Sequence, residues 1–124
     1  MANEITVSGS IKAVNGYLTF GPRSVTNLQP TMTGTHSSGG VQDISTTKET
    51  IAISSDVATL GWCWLRNTDT TNYIEIGTVT GGTFYPLMKL KPGEFALFRW
   101  ATGITPYAQA NTATAKLEWY TLED

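Results

Sequence analysis

The stretch LGWCWLRNTDTTNYIEIGTVTGGTFYPLMKLKPGEFALFRWA, residues 60–101, decides the fold of this chain. β-Branched and aromatic residues fill short runs in it, and Gly, Pro, Asn and Asp separate the runs, which is the pattern of strands joined by turns. In the first run Trp62 and Trp64 share one face of a strand, because side chains alternate along an extended backbone. Its other face, at Cys63 and Leu65, is also apolar, so we expect a strand covered on both sides.

Turn residues interrupt this stretch at intervals of about ten residues. The runs are separated by polar residues 67–72, by Gly81-Gly82 and by Lys91-Pro92-Gly93-Glu94, where Pro and Gly favour a type II turn. Such spacing is typical of a sandwich or a small barrel. No window shows a convincing helical period, not even residues 107–116 with their alanines. The sequence therefore predicts an all-β fold, an antiparallel β-sandwich of about eight strands. A jelly-roll-like sandwich is our first choice and an immunoglobulin-like sandwich our second.

The N-terminal part of the chain has a different texture. Asn15-Gly16 predicts a β-hairpin between residues 11–14 and 17–20. Residues 21–47 are rich in Ser, Thr, Gly and Gln and hold only isolated apolar side chains, which indicates a long loop. We therefore predict one β-sandwich domain over residues 1–124, with residues 21–47 as an extended loop.

Composition limits the cellular compartment and the classes of partner expected for the protein. A chain of 124 residues suits a single domain, and its one cysteine, Cys63, excludes an intrachain disulfide, as expected for a protein folded in a reducing cytosol. The first residues are polar and do not resemble a secretory signal, and no apolar run is long enough to cross a bilayer. The net charge is −2, and the eight basic residues are scattered along the chain. We therefore expect neither a nucleic acid nor a membrane as partner.

Residues able to carry nucleophilic catalysis are few. The one histidine, His36, precedes Ser37, and Asp43 or Asp56 could complete a triad with them. A solvated loop histidine is the interpretation we favour, because the surrounding sequence has the composition of a mobile loop. A single histidine and a single cysteine, far apart in the chain, do not predict a zinc site.

Other chemical motifs are incomplete. The pattern Asn67-x-Asp69-x-Thr71 lacks the glycine and distal glutamate of a calcium loop, so we interpret it as a turn whose side chains bond their own backbone. Gly81-Gly82 is not followed by the lysine and helix of a phosphate-binding loop. Paired carboxylates of the glycosidase kind are conceivable, but the three candidates sit where exposure is predicted: Glu75, Glu94 and Glu118. We predict no enzymatic activity, no metal and no cofactor.

Four tryptophans raise the possibility of sugar binding, because aromatic rings stack on sugar rings. Trp62, Trp64, Trp100 and Trp119 all fall in predicted strands, at positions compatible with a core. Trp100 fits this least well, since it lies on the face opposite Phe95. We expect core or subunit-interface roles for these side chains, with a sugar platform as the alternative.

Residues 71–101, TNYIEIGTVTGGTFYPLMKLKPGEFALFRWA, and the closing AKLEWYTLED of residues 115–124 resemble small β-rich virion proteins of tailed bacteriophages. The shared pattern is an N-Y-x-E-x-G strand, an aromatic strand, an L-K-P-G-E turn, and a strand rich in alanine and leucine. The resemblance implies a structural protein of the virion, assembled in the host cytoplasm. Its likeliest place is capsid decoration (cement), as a dimer or trimer bound to the major capsid protein or other virion proteins. A head–tail connector or tail role, and a carbohydrate-binding adhesin module, remain alternatives.

An assembly protein needs segments that bury themselves on partners, and residues 21–47 are the candidate here. Isolated apolar anchors stand in an otherwise disorder-like composition, which is typical of segments that become ordered on binding. A plain loop folded over its own sandwich is the alternative. The predicted protein-interface residues are Pro22, Arg23, Leu28, Met32 and His36.

Overall fold

A computed structural model describes residues 3–124, and all its regular secondary structure is β-strand. The strands are β1 Val7–Asn15, β2 Leu18–Leu28, β3 Ser37–Ile44, β4 Glu49–Thr50, β5 Leu60–Asn67, β6 Ile74–Thr80, β7 Thr83–Leu90, β8 Phe95–Arg99, β9 Tyr107–Ala110 and β10 Ala115–Glu123.

The chain divides into two compact units, one ending at Thr33 and the other spanning Gly34–Asp124. The first unit holds β1 and β2, which pair only with each other. The second holds the remaining eight strands. This division differs from the single domain predicted over residues 1–124.

The second unit is a sandwich of two four-stranded antiparallel sheets, with strand orders β3-β10-β5-β8 and β4-β9-β6-β7. The predicted all-β, antiparallel sandwich is confirmed. Four pairs of strands are nested in the chain: β3 with β10, β4 with β9, β5 with β8, and β6 with β7.

One hydrophobic core fills the space between the two sheets of the second unit. Ile44, Leu65 and Leu117 supply it from one sheet, and Ile74 and Ile76 from the other, all at most 1% exposed. Ile74 and Ile76 both point into this core, as alternate residues of a strand with one covered face do.

Several predicted turns are also present. Asn15 and Leu18 pair across the β1–β2 turn, and Gly16 has a φ of 59°, a value that glycine adopts without strain. In the Lys91–Glu94 turn the Glu94 N–H donates to the Lys91 carbonyl at 3.0 Å, with Gly93 at a φ of 81°.

The prediction of a long loop over residues 21–47 is wrong, because that segment contains most of β2 and all of β3. In β2 two register shifts break the alternation of apolar residues, which hides the strand from a search for period two. In β3 small residues replace the usual β-branched ones. Gly39 lies under the ring of Tyr120, where a Cβ would collide with it, so a close approach and not propensity requires glycine there.

The tryptophans divide between two environments. Trp100 and Trp119 are 8% and 5% exposed and belong to the core, so the doubt over Trp100 is removed. Trp62 and Trp64 are instead half-buried on the outer side of their sheet, while Cys63 and Leu65 face the core. Of the two roles expected for Trp62 and Trp64, a core position is wrong and a subunit-interface role stays a prediction. In β5 the smaller side chains of Cys63 and Leu65 occupy the inner face, and the larger rings of Trp62 and Trp64 occupy the outer one.

Candidate protein-interaction surfaces

The paired strands β1 and β2 form a two-stranded antiparallel ribbon, here called the ribbon. Two register shifts interrupt the pairing, one between Val7 and Gly9 and one between Ile11 and Ala13. Each shift adds unpaired residues to β2 and reverses which of its side chains face a given side. The irregularities therefore determine the composition of the two faces of the ribbon.

Residues opposite each other in an antiparallel pair point to the same side. The pairs Ala13↔Phe20, Gly9↔Val25 and Val7↔Leu28 place Phe20, Val25 and Leu28 on one side, although these three residues do not share parity in the sequence. We call this side the apolar ribbon face. Its members, with their partners across the ribbon, are Val7, Gly9, Ile11, Ala13, Asn15, Leu18, Phe20, Arg23, Val25 and Leu28.

The large side chains of the apolar ribbon face lie open to solvent. Ile11 is 62% exposed, Leu18 56%, Val25 55%, Leu28 45% and Phe20 43%. The opposite face is mainly polar and includes Ser10, Lys12, Thr19 and Ser24, with Val14 as its apolar exception. An isolated two-stranded hairpin is marginally stable in water, so a ribbon with one continuous apolar face gains most by packing against another chain.

A second apolar surface lies on the outer side of the β3-β10-β5-β8 sheet. The cross-strand pairs Tyr120↔Trp64 and Trp64↔Leu97 run across its middle. We call it the outer sheet face, and its apolar members are Val41, Trp62, Trp64, Phe95, Leu97, Tyr120 and Leu122. Val41, Phe95 and Tyr120 are at least half exposed, which is more than a core-facing strand tolerates.

Aromatic contacts organise the centre of the outer sheet face. The rings of Trp64 and Phe95 stack with centroids 5.0 Å apart, and the guanidinium carbon of Arg99 lies 5.8 Å from the Trp62 ring centroid. Trp64 Nε1 donates to Glu118 Oε1 at 3.0 Å. A shallow groove of about 200 Å³ runs between Trp62, Trp64, Leu97, Tyr120 and Leu122. Trp, Tyr and Arg are the residue types that contribute most to protein–protein binding.

Ion pairs stand at the two ends of this surface. Lys116 Nζ lies 2.7 Å from Asp43 Oδ1 at one end, and Arg99 Nη1 lies 2.8 Å from Asp124 Oδ1 at the other. An apolar centre with a charged rim is the usual anatomy of a protein interface.

Glu123 joins three segments of the second unit. Its Oε1 accepts hydrogen bonds from the Thr35 and His36 backbone N–H groups and lies 3.0 Å from His36 Nδ1, while Oε2 accepts from the Ala58 N–H. These bonds, led by the one from His36, lower the pKa of Glu123 to about 2. The same hydrogen bond raises the pKa of His36 above its ordinary value. His36 thus anchors the start of β3 to the end of β10.

The predicted interface residues fall in different parts of the molecule. Pro22, Arg23 and Leu28 belong to β2 and are exposed on the ribbon. Met32 follows the ribbon within the first unit, half-buried, and its N–H donates to Glu4 Oε2 at 3.4 Å. His36 belongs to the second unit. Their role in an interface stays a prediction.

Sequence reasoning missed the two surfaces themselves. The apolar ribbon face depends on register shifts that no alternation pattern reveals, although apolar residues at 11, 18, 20, 25 and 28 were visible. On the outer sheet face the two-sided apolar pattern of β5 and β8 was a usable signal. It indicated a covered outer side, and the structure places Trp64 and Phe95 there.

The polar motif at residues 67–72 is a turn held by its own side chains, as predicted. Asn67 Oδ1 accepts from the Asp69 N–H at 2.9 Å, and Asp69 Oδ2 accepts from the N–H groups of Thr71 and Asn72. These bonds lower the pKa of Asp69. Within residues 3–124 no group of three His, Cys, Asp or Glu side chains has metal-binding geometry.

The remaining candidates for chemistry are dispersed. Glu75 lies in β6 and Glu118 in β10, strands of different sheets, and Glu94 accepts a hydrogen bond from the Lys91 N–H in the turn before β8. Cys63 is buried, which raises the pKa of its thiol to about 12. Such a thiol is almost entirely protonated at neutral pH and is a poor nucleophile. Over the described residues no helix is long and apolar enough to cross a bilayer.

Comparison with known proteins gives no relative: the chain matches no protein-family model, no curated protein and no solved structure.

Proposed function

We propose that this chain is a structural protein that works by binding other protein chains in a large assembly. The observation that carries the proposal is the apolar ribbon face, whose five large side chains are between 43% and 62% exposed. A contiguous exposed apolar patch of this kind marks a surface that another molecule covers. The outer sheet face adds a second apolar surface of interface composition.

We further propose that the assembly is the particle of a tailed bacteriophage, and that the chain decorates and stabilises its capsid. Two features support this. One is the resemblance of residues 71–101 and 115–124 to small virion proteins. The other is the nested pairing of the eight strands of the second unit, which resembles the strand order of a jelly roll. Jelly rolls occur in viral capsid and lectin domains, so this support is an analogy at the level of the fold.

The copy number of the chain in purified virus particles tests the location. Particles from a host culture that expresses the chain are analysed by quantitative mass spectrometry. Hundreds of copies support decoration, whereas about six to twelve indicate a connector or tail ring with closed rotational symmetry. Absence of the chain from the particles contradicts a virion role.

A shortened ribbon tests the mechanism. Residues 11–23 are removed and Ser10 is joined to Ser24, its partner across the ribbon, through an Asn-Gly turn. Particles assembled without the chain are mixed with this variant and sedimented. We expect the variant to stay in the supernatant, because it no longer binds the particles. The control is Leu87→Asp, an exposed position in β7 on the other sheet, which should co-sediment like the native chain. Full retention of the shortened variant would show that the ribbon is not the binding segment.

Binding of a carbohydrate is the second candidate function, favoured by the groove beside Trp62 and Trp64. Sugar platforms need an open ring face. Phe95 stacks on Trp64 and Arg99 lies over Trp62, so the rings are partly covered and a protein partner fits this surface better. Quenching of tryptophan fluorescence by glycans, abolished by Trp62→Ala and unaffected by Trp119→Phe in the core, would reverse this order.

A further inference from the structure

We infer that two copies of this chain associate reciprocally, with the apolar ribbon face of each copy docked on the outer sheet face of the other. The inference deepens the assembly function proposed above by naming a second copy as the first partner. Its test needs only the purified chain, so it can fail or succeed independently of particle binding.

The two surfaces match in shape and polarity. The apolar ribbon face is a two-stranded sheet with one apolar side, and the outer sheet face is a four-stranded sheet whose outer side is apolar. Sheets stack face to face at about 10 Å by interdigitating such side chains, as the two sheets of the sandwich itself do. A docked ribbon would form a third layer.

The basic residues of the ribbon disfavour a contact between two ribbons. Residues 7–28 contain two basic residues, Lys12 and Arg23, and no acidic one. The outer sheet face carries both signs, with Arg66, Arg99 and Lys116 beside Asp43, Glu118 and Asp124. Arg23 lies on the apolar ribbon face, and Glu118 lies at the centre of the outer sheet face with Oε1 accepting from Trp64. A ribbon stacked on another ribbon would instead bring like charges together.

The area of the contact favours a reciprocal arrangement. A ribbon about nine residues long and two strands wide covers roughly 300 Å² of a facing sheet, so one docked ribbon buries roughly 600 Å² in total. Stable protein interfaces bury about 1,200–2,000 Å². Two ribbon-to-sheet contacts related by a two-fold axis reach the lower end of that range, whereas one contact does not.

A complementation experiment tests the inference. The ribbon variant carries Phe20→Asp and Val25→Asp, and the sheet variant carries Val41→Asp and Phe95→Asp; all four positions are between 43% and 58% exposed. We expect the native chain to sediment as a dimer and each variant alone to dissociate at least about tenfold more readily, because a carboxylate is then buried in each contact. An equimolar mixture should associate more tightly than either variant alone and less tightly than the native chain, since it recovers one of the two contacts between an intact ribbon and an intact outer sheet face.

Matched controls separate this arrangement from its competitors. Val14→Asp is 66% exposed on the opposite face of the ribbon, and Leu87→Asp is 70% exposed on the other sheet, so both should leave the native dimer unchanged. Circular dichroism checks that every variant keeps its strands. A sheet variant that still dimerises would indicate ribbon-to-ribbon packing, and a ribbon variant that still dimerises would indicate sheet-to-sheet packing. Either result, a monomeric native chain, or a mixture that associates no more tightly than the variants alone would overturn the inference.

Discussion

Glu123 shows how one side chain can replace secondary structure in holding a strand. It accepts two backbone N–H groups before β3 and one from Ala58, and it pairs with His36. Because its pKa is lowered to about 2 in the folded state, its contribution to stability is present above the ordinary value of 4.5 and is lost as the pH falls from there to about 2. The contribution of His36 to stability has the opposite pH dependence. Its raised pKa stabilises the fold below pH 6.5, and this contribution disappears as the pH rises through the folded-state pKa.

We therefore expect Glu123→Gln to lower the melting temperature by roughly 2–6 °C at pH 6, with the difference from the native chain shrinking towards pH 2. His36→Gln should flatten the decline in stability above pH 6.5. Thermal unfolding monitored by circular dichroism from pH 2 to pH 9 checks both. Glu75→Gln, a half-buried carboxylate opposite Lys89 in β7, is the control. An equal loss for Glu123→Gln at pH 2 and pH 6 would contradict the assigned role.

Asn67 is the fully buried polar side chain at the end of β5, and its amide satisfies backbone groups of neighbouring turns. Nδ2 donates to the carbonyls of Asn72 and Leu90 at 2.8 and 2.9 Å. Removing the amide leaves both carbonyls without this donor, so we expect Asn67→Ala to cost about 2–4 kcal/mol of unfolding free energy. Urea denaturation measures this. Asn111→Ala, an exposed side chain that accepts one hydrogen bond from Tyr73, should cost less than half as much.

At the scale of single strands, close backbone approach can decide where glycine is required. Gly77 in β6 lies at a register shift against β7, and an added Cβ would collide with the Tyr85 carbonyl oxygen. Backbone cannot move aside as a flexible side chain can, so Gly77→Ala should destabilise the fold by about 1–3 kcal/mol. A Cβ added to Gly9 of β1 would meet no atom within 4 Å. Gly9→Ala should therefore change the free energy of unfolding by no more than about 0.5 kcal/mol in the same denaturation assay. Similar losses at both positions would exclude steric crowding as the cause.

The same strands explain which elements could be predicted. Residues 60–101 alternate regularly and are divided by strong turn residues, so the existence of β5 to β8 and the turns between them were predictable. β2 and β3 were not. Alternation in β2 is reset twice by register shifts, and β3 uses Gly39 because Tyr120 packs over it, a contact that only the folded partner strand defines. The interaction surfaces were harder still, since they depend on which face of β5 turns inward.

At the scale of the whole molecule, we expect stability and association to belong to different units. Every residue of the hydrophobic core between the two sheets lies between Ile44 and Trp119, in the second unit, whereas the five large apolar side chains of the apolar ribbon face are exposed. We therefore expect a fragment of residues 34–124 to fold by itself, with a melting temperature within roughly 5 °C of the dilute full chain. A peptide of residues 3–33 should lack stable strands, because two strands alone bury too little apolar surface.

Circular dichroism and thermal unfolding of both fragments test this, and the full chain is measured at several concentrations, since stability gained by association grows with concentration. An unfolded 34–124 fragment would mean that the ribbon contributes to folding within its own chain. A folded fragment that no longer associates would place stability in the sandwich and association in the ribbon, the division of labour that a structural protein of an assembly requires.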